Sequence, residues 1–147
     1  MATYLHSIET TVPEHVHTQD AIEELFVSHI DDRRTQLLIK KSLRGTKIDK
    51  RHSVCPGFFN NELFDENGKA PTSARNKVYA RESRRLAVQL GEKIIADSPT
   101  FSKEDITHVV FASCTGFANP GPDYFLVADM GLRHDCQRLL IGFMGCY

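Results

Sequence analysis

The stretch that decides the fold reads THVVFAS and occupies residues 107–113. Its nearly continuous apolar side chains are typical of a strand that is buried on both faces, as in a parallel sheet. A loop ending in Pro120-Gly121-Pro122 follows, then a predicted short helix over 123–130 and a second apolar strand over 138–143. A strand, a helix and a strand with short connections predict a βαβ unit with a right-handed crossover. The predicted fold class is therefore α/β.

Three further helices and two further strands are predicted before this unit. The first strand spans 2–10, residues 48–54 are a short strand or an extended segment, and the helices begin after Thr18, near Arg33 and at a cap on Thr72 or Ser73. The last helix runs to about Asp97 and carries Ala87 and Gly91 on its apolar face. Small residues at these positions predict a close approach of this helix to a sheet.

Composition predicts a single globular domain over residues 1–147. The chain has 41% apolar residues, 25% charged residues and a formal net charge of −1. That charge creates no field for nucleic acid or a membrane surface, so neither is a predicted partner. Basic residues do cluster at 40–41, 44–51 and 81–85, which suits a phosphorylated small molecule. No secretory leader and no apolar run of ~20 residues is visible.

The four cysteines are too sparse and irregular for a disulfide framework; they are Cys55, Cys114, Cys136 and Cys146. Reduced thiols in a cytoplasmic protein are therefore predicted. The seven histidines form no CxxC-like or HExxH-like arrangement with them, so no metal site is predicted.

The second strand leads to a candidate nucleophile at the end of the chain. Residues 142–147 read GFMGCY, and Gly145 permits the backbone angles of a tight turn. A thiolate at a strand end, just before an expected helix N-terminus, is stabilised by the helix dipole. A packing role is the alternative for Cys146, but such a cysteine needs no turn glycine beside it. Since the sequence stops at Tyr147, it predicts a catalytic half without the residues that work with this thiol.

Cys114 is a second candidate, because it ends the neighbouring strand. In open α/β sheets, ligands bind at the carboxyl edge, where both cysteines are expected to lie. A role in lining a cavity is favoured for Cys114 over that of a second nucleophile.

Three motifs occur together in the last third of the chain. They are CTGFANPGPDY over 114–124, GLR over 131–133 and GFMGC over 142–146. In this combination they resemble the type III polyketide synthase (chalcone synthase-like) family of the thiolase superfamily. The resemblance covers essentially the whole chain, but only the N-terminal part of a family member. It implies the N-terminal half of a thiolase-like fold, a mixed, mainly parallel sheet with flanking helices, truncated at the nucleophile.

The resemblance implies an acyltransferase that uses CoA thioesters as substrates and no cofactor. Cys146 matches the residue that accepts an acyl group from a starter acyl-CoA. Malonyl-CoA is then decarboxylated, and its carbanion attacks the bound thioester in a Claisen condensation. Lys50 and Arg51, with Lys47 less directly, match the region that binds the CoA phosphates, and the bidentate geometry of arginine suits that task. A solvated basic segment on the surface is the alternative for these residues.

The resemblance also assigns cavity-lining residues. Cys114 and Thr115 match positions that line the elongation cavity. Asn119 and Pro120 match a loop with a cis peptide bond that crosses the interface of a homodimer and helps to wall the partner's cavity.

Departures from the plant enzymes favour a bacterial or fungal type with a differently shaped pocket. Plant chalcone synthases typically have Thr-Ser-Gly at 114–116, Met at 119 and Gln-Gly-Cys-Phe at 144–147. Family members also pair the cysteine with a downstream histidine and asparagine, and no histidine of this chain matches that position. The 147-residue polypeptide alone is therefore predicted not to turn over malonyl-CoA.

Two alternatives stay open at this point. Another thiolase-fold condensing enzyme, such as a ketoacyl synthase III or a hydroxymethylglutaryl-CoA synthase, is the nearer one, although the PGPDY loop argues against it. A non-catalytic truncated chain that acts through its dimer interface is the other.

Overall fold

The computed structural model describes residues 2–57, 62–63 and 69–143. The chain divides into two compact units, each with one two-stranded sheet among these residues. We call Met1–Thr11 with Gly57–Tyr147 the major unit, and Val12–Pro56 the minor unit. The single domain predicted over 1–147 stays a prediction.

The minor unit is a helix pair beside an antiparallel ribbon. Its elements are β1 (His15–Thr18), α1 (Gln19–Ser28), α2 (Arg33–Gly45) and β2 (Lys50–Ser53). Strands β1 and β2 pair from His15↔Ser53 to Thr18↔Lys50. The predicted start of α1 is confirmed, because the Thr18 hydroxyl accepts a hydrogen bond from the Ala21 amide at 3.2 Å.

The major unit contains the βαβ arrangement that the sequence predicts. Its elements are α3 (Thr72–Ala96), a 3₁₀ turn (Lys103–Asp105), β3 (His108–Ser113), α4 (Pro122–Asp129) and β4 (Gln137–Gly142). Strands β3 and β4 are parallel, in register from His108↔Gln137 to Ser113↔Gly142. Gly131 has φ +64° and ends α4, as expected of a glycine after a helix.

The core of the major unit lies where α3 meets the end of α4. Met130, Leu132 and Cys136 are buried there; the partly buried apolar residues around them are Val88, Ile95, Ile106, Val109, Leu126 and Val127. A Cβ atom on Gly91 would lie 2.5 Å from the Met130 sulfur, so a larger residue there would displace the end of the Met130 side chain. The predicted approach of α3 to a sheet is thus wrong at Gly91, because its close neighbour is the end of α4.

The expected burial of the parallel strands on both faces is also wrong for the described residues. Along β3, exposed and half-buried residues alternate, and every residue of β4 is exposed. Val110 keeps 61% of its surface exposed and Leu139 keeps 55%. Helix α4 contacts both strands, and the apolar side chains on the opposite face have no cover in the part of the chain that is described.

Two further predictions are wrong: one concerns a strand near the start of the chain, and the other concerns the cap of α3. Residues 2–10 form no strand, because they find no ladder partner, and β1 begins only after Pro13. Helix α3 has Pro71 at its N-cap and no side-chain cap, so Thr72 is its first helical residue and neither Thr72 nor Ser73 caps it. Within the described ranges, no helix is both long enough and apolar enough to cross a membrane.

Candidate functional site

A cavity of about 250 Å³ opens at the carboxyl ends of β3 and β4. The last strand pair, Ser113 and Gly142, lines it together with residues that follow each strand. Its lining residues are Thr72, Arg75, Asn76, Tyr79, Ser113, Cys114, Thr115, Gly116, Phe117, Ala118, Pro122, Leu140, Gly142 and Phe143. The sheet edge that the sequence favours for a ligand therefore carries a real concavity.

The four predicted cavity residues are divided between two cavities. Cys114 and Thr115 line the cavity at the strand ends. Asn119 and Pro120 line a neighbouring cavity of about 510 Å³, with Arg138 on its wall. The peptide bond between Asn119 and Pro120 is cis, as the resemblance implies.

Three residues of the first turns of α3 enter the strand-end cavity without having been predicted. They are Arg75, Asn76 and Tyr79. With Thr72 they follow the spacing i, i+3, i+4 and i+7, which places them on one face of a helix. This spacing could have identified the three residues from sequence. However, a helix face that contains several polar residues shows the same pattern when it is simply exposed to solvent.

Gly116 is the point at which the loop after β3 rests on α3. A Cβ atom built on Gly116 would lie 2.6 Å from Cγ and 2.8 Å from Cδ1 of Tyr79. Because such distances are shorter than any ordinary carbon contact, the Tyr79 ring and a side chain at position 116 exclude each other. The loop that carries Cys114 and Thr115 is thereby seated against an aromatic ring.

The cysteines differ in chemical state. The sulfur of Cys114 is part of a disulfide, whereas Cys55 and Cys136 are buried with unoxidised sulfurs. The prediction of reduced thiols is therefore wrong for Cys114. The predicted nucleophile Cys146 and its turn residue Gly145 lie outside the described residues.

The end of β4 changes backbone direction at Phe143. Its φ of 50° is in the left-handed region, which bulky residues rarely adopt. The side chain is 86% exposed, and its ring centroid lies 6.4 Å from that of Phe117. No pattern in the sequence predicts a left-handed phenylalanine, and the turn predicted at Gly145 lies outside the described residues.

An ion pair between buried Asp123 and exposed Arg138 lies on the wall of the second cavity. Asp123, 7% exposed, stands in the first turn of α4 and accepts a hydrogen bond from Arg138 Nη1 at 3.0 Å. The Arg138 guanidinium also lies 5.4 Å from the centre of the Tyr124 ring. A carboxylate at a helix start is favoured by the helix dipole, and here it joins α4 to β4.

The basic cluster over 81–85 is not available for phosphate. Arg81 pairs with Glu62 and Glu82, Arg85 Nε bonds Glu82 at 2.8 Å, and Arg84 bonds Asp129 at 2.6 Å; these are ion pairs on or beside α3. The hydrogen bond from Arg81 holds the pKa of both glutamates below the usual range. Each guanidinium already has a carboxylate, so the cluster attracts anions weakly.

The predicted phosphate-binding residues lie in the minor unit, where Gln19 links two of them. Gln19 is buried, and its Nε2 donates to the Leu43 carbonyl at 2.8 Å and to the Thr46 hydroxyl at 3.2 Å. Arg51 Nε donates to Gln19 Oε1 at 3.3 Å. Lys47 follows Thr46 and has a φ of 54°. Gln19 therefore holds Arg51 beside the backbone that presents Lys47.

Lys50 is separated from Arg51 by the geometry of β2. Neighbouring residues of a strand point to opposite faces, so these two side chains do not converge. None of Lys47, Lys50 and Arg51 has a carboxylate partner in the described part of the chain, in contrast with Arg44, which bonds buried Glu23 at 2.9 Å and 3.0 Å.

Curated relatives of known activity are similar to this chain over most of its length. It is 28% identical to the 1,3,6,8-tetrahydroxynaphthalene synthase of Streptomyces coelicolor, over 92% of this chain and 34% of that protein. It is 30% identical to the phloroglucinol synthase of Pseudomonas fluorescens, over 91% and 36%. The α-pyrone synthesis polyketide synthase-like Pks18 of Mycobacterium tuberculosis is 28% identical, over 97% and 36%.

Solved structures give the same result for the fold. The tetrahydroxynaphthalene synthase of Streptomyces coelicolor, a bacterial type III polyketide synthase, superposes with a TM-score of 0.76 at 26% identity, over 90% of this chain and 36% of that one. PKS-I of the brown alga Ectocarpus siliculosus gives 0.74 at 26% identity, over 92% and 38%. The chain thus has the N-terminal part of a thiolase-like α/β fold.

The chain spans about a third of the length of these relatives. Its sequence matches the family described as chalcone and stilbene synthases, N-terminal domain, over residues 1–147. Bacterial proteins dominate its matches, in agreement with the departures from the plant pattern. The chain belongs to the chalcone and stilbene synthase family, whose N-terminal domain it matches over its full length.

Proposed function

We propose that the protein that contains this chain transfers an acyl group from a CoA thioester to Cys146 and extends it with malonyl-CoA. The Cys146 thiolate attacks the thioester carbonyl, the carbon–sulfur bond to CoA breaks, and CoA leaves as a thiol after taking up a proton. Malonyl-CoA loses carbon dioxide, and its carbanion attacks the acyl-cysteine. A carbon–carbon bond forms, and the Cys146 sulfur leaves, ready for another acyl group.

One observation supports this proposal most directly. The cavity at the strand ends lies at the carboxyl edge of β3 and β4, and β4 is the strand that leads along the sequence to Cys146. Its walls combine apolar Phe117, Ala118 and Leu140 with polar Asn76 and Thr115. Such a mixture suits an acyl chain that carries ketone oxygens.

The first test follows acylation of the thiol in the full-length protein. We expect a starter acyl-CoA to add the mass of one acyl group under reducing conditions, which also open the disulfide of Cys114. Cys146→Ser should abolish thioester formation, because a hydroxyl is a much weaker nucleophile. Intact-mass spectrometry followed by peptide mapping measures both.

Cys136→Ser is the matched control, since Cys136 lies in the core away from the cavity. It should acylate normally if circular dichroism shows it to be folded. An acyl group that maps to Cys114 in the Cys146→Ser protein would contradict the assignment of the nucleophile.

We also propose that Arg51 and Lys47 bind the CoA phosphates and that Lys50 contributes less. Arg51 uses Nε on Gln19, so its two Nη groups can donate to a phosphate in the bidentate manner. The absence of carboxylate partners for these cations in the described residues is consistent with an anion site. Lys50 points to the other face of β2, which is why a smaller role is assigned to it.

Removal of the Arg51 side chain should weaken CoA binding. Arg51→Ala is expected to raise KM for acyl-CoA by about tenfold with little change in kcat, since a charge-assisted hydrogen bond contributes roughly 1.5 kcal/mol or more. Lys50→Ala should have less effect than Lys47→Ala. Steady-state kinetics at low salt measures the three values.

Arg33→Ala is the control for charge, because Arg33 is an exposed cation at the start of α2. An increase in KM for Arg33→Ala equal to that for Arg51→Ala would show a general electrostatic effect instead of a phosphate site.

The proposal extends to assembly and to the residues that complete the site. We propose a homodimer in the cytoplasm, in which the Asn119–Pro120 loop reaches the partner's cavity, and a chemistry that needs no cofactor. The histidine and asparagine that work with the thiolate are proposed to lie outside these 147 residues. The isolated chain should therefore release no CoA from malonyl-CoA in a thiol-detection assay, and measurable release would contradict this.

A further inference from the structure

The Tyr79 side chain of α3 lines the cavity at the strand ends and contacts the loop after β3. It stands in the second turn of α3, next to buried Val78, and lines the cavity at the strand ends. Because buried Val78 anchors this turn, the helix holds the backbone from which the Tyr79 ring projects. The loop after β3 lies against the surface of that ring.

The loop meets that surface at Gly116. A Cβ atom at this position would lie 2.6, 2.8 and 3.0 Å from the Cγ, Cδ1 and Cβ atoms of Tyr79. The backbone of Gly116 therefore rests directly on the side chain. Cys114 and Thr115 immediately precede Gly116, so the same contact sets how far they stand from α3.

We infer that the pair Tyr79 and Gly116 sets the width of the cavity and thereby selects the length of the acyl chain that it admits. This inference rests on the proposed function, because it assumes an acyl thioester as the ligand. Tyr79 is a specificity-determining residue here and takes no part in the bond-forming steps.

The chemical class of the ligand follows from the apolar residues that line the cavity together with Tyr79. Phe117, Ala118 and Leu140 present apolar surface, so the part of the ligand that meets the ring is a hydrocarbon chain. An apolar pocket of fixed width discriminates between chains that differ by one methylene by roughly 10-fold to 200-fold. A shorter side chain at position 79 should move that limit to longer chains.

The test compares acylation by a series of saturated acyl-CoA starters in the full-length protein. Tyr79→Ala should shift the preferred starter to longer chains, with a gain of at least about tenfold in kcat/KM for the first chain that the wild type rejects. Tyr79→Leu gives a smaller opening and serves if the alanine variant does not fold. Tyr4→Ala is the control, because Tyr4 is 75% exposed and does not line the cavity.

A second measurement tests the contact without any substrate. Gly116→Ala should lower the melting temperature of the wild type, because the new methyl group meets the Tyr79 ring. In the Tyr79→Ala background the same substitution should have little effect, because the ring is absent. If the two substitutions change the melting temperature additively, residues 79 and 116 do not interact, and the inference that their contact sets the cavity width is wrong.

The two measurements separate the inference from the function beneath it. If the wild type is acylated and Tyr79→Ala keeps the same chain-length profile, the inference fails and the proposed function stands. If no starter acylates the wild type under reducing conditions, the proposed function fails, and with it the selection of acyl chains.

Discussion

At the scale of single residues, Ile22 is the side chain on which the minor unit depends most. It is 2% exposed and is the largest fully buried side chain among the described residues. Ile22→Ala should lower the free energy of unfolding by about 2–5 kcal/mol, and Ile22→Val by about 0.5–1.5 kcal/mol, because a cavity remains where methyl groups are removed. Urea unfolding followed by circular dichroism measures both.

The comparison for this prediction is Ile8→Ala, since Ile8 is an exposed isoleucine. It should change the free energy of unfolding by less than about 0.5 kcal/mol. Equal losses for Ile8→Ala and Ile22→Ala would mean that burial of Ile22 does not stabilise the unit.

Residue chemistry could be predicted where one side chain acts locally. Thr18 caps α1 and Gly131 ends α4, as their sequence positions indicated. Tyr79 and Gly116 were not found, because their contact joins residues that are far apart in the chain and neither belongs to a recognisable pattern. The left-handed Phe143 was missed for a related reason, since its backbone angle is imposed by context and not by its own preference.

At the scale of elements, two glycines near helix ends should respond to alanine in opposite directions. Gly131 has φ +64°, so Gly131→Ala should destabilise the protein by about 1 kcal/mol through backbone strain, although no atom blocks its Cβ. Gly45 is the last residue of α2, has no such angle and has open space around it. Gly45→Ala should stabilise by about 0.4–1 kcal/mol.

Thermal unfolding of the two variants beside the wild type checks the signs. The pair forms its own control, because both substitutions add one methyl group at the end of a helix. A loss of stability in both variants would show that added volume, and not the backbone angle, determines the effect.

Elements were predicted well where local signals and tertiary contacts agree. The parallel strands joined by α4 followed from apolar runs, and α2 spans the residues that its pattern indicated. The strand over 2–10 failed because its alternating pattern has no pairing partner, and a strand exists only with one. The prediction that β3 is buried on both faces was wrong. An apolar run shows that a strand favours burial, but it does not show which element packs against it.

At the scale of the whole molecule, acid should destabilise the fold. Among the described residues, the carboxyl groups with a clearly shifted pKa are all shifted downward, mostly by hydrogen bonds to arginines, hydroxyls or backbone amides; they are Asp32, Glu62, Glu82, Glu104, Asp105 and Asp135. A lowered pKa contributes stability above the value of the unfolded chain, and this contribution is lost as pH falls through the folded value. The urea midpoint should therefore decrease below about pH 4.5.

Glu82 provides the variant for this prediction, because it is the most buried of these groups and accepts from Arg81 and Arg85. Glu82→Gln should flatten the dependence of the urea midpoint on pH, whereas Glu92→Gln, on the exposed side of the same helix, should leave it unchanged. A midpoint that rises in acid would contradict the sign.

The family and its fold could be predicted from sequence, because the motifs over 114–124, 131–133 and 142–146 occur together and in this combination resemble one family. The hydrogen bonds around the predicted phosphate-binding residues could not be predicted in this way. That Gln19 joins Arg51 to the end of α2, and that Lys50 faces away, depends on strand pairing and on the crossing of two helices. No periodicity in the sequence carries that information.

The open apolar face of β3 and β4 has a practical consequence. A two-stranded parallel sheet with Val110 and Leu139 at its surface also presents edge backbone groups to any chain that can add a strand. When this polypeptide is produced on its own, we expect the exposed apolar face to determine how strongly it aggregates. Its soluble yield, its light scattering and its binding of hydrophobic dyes should depend on whether a solubilising fusion covers those two strands.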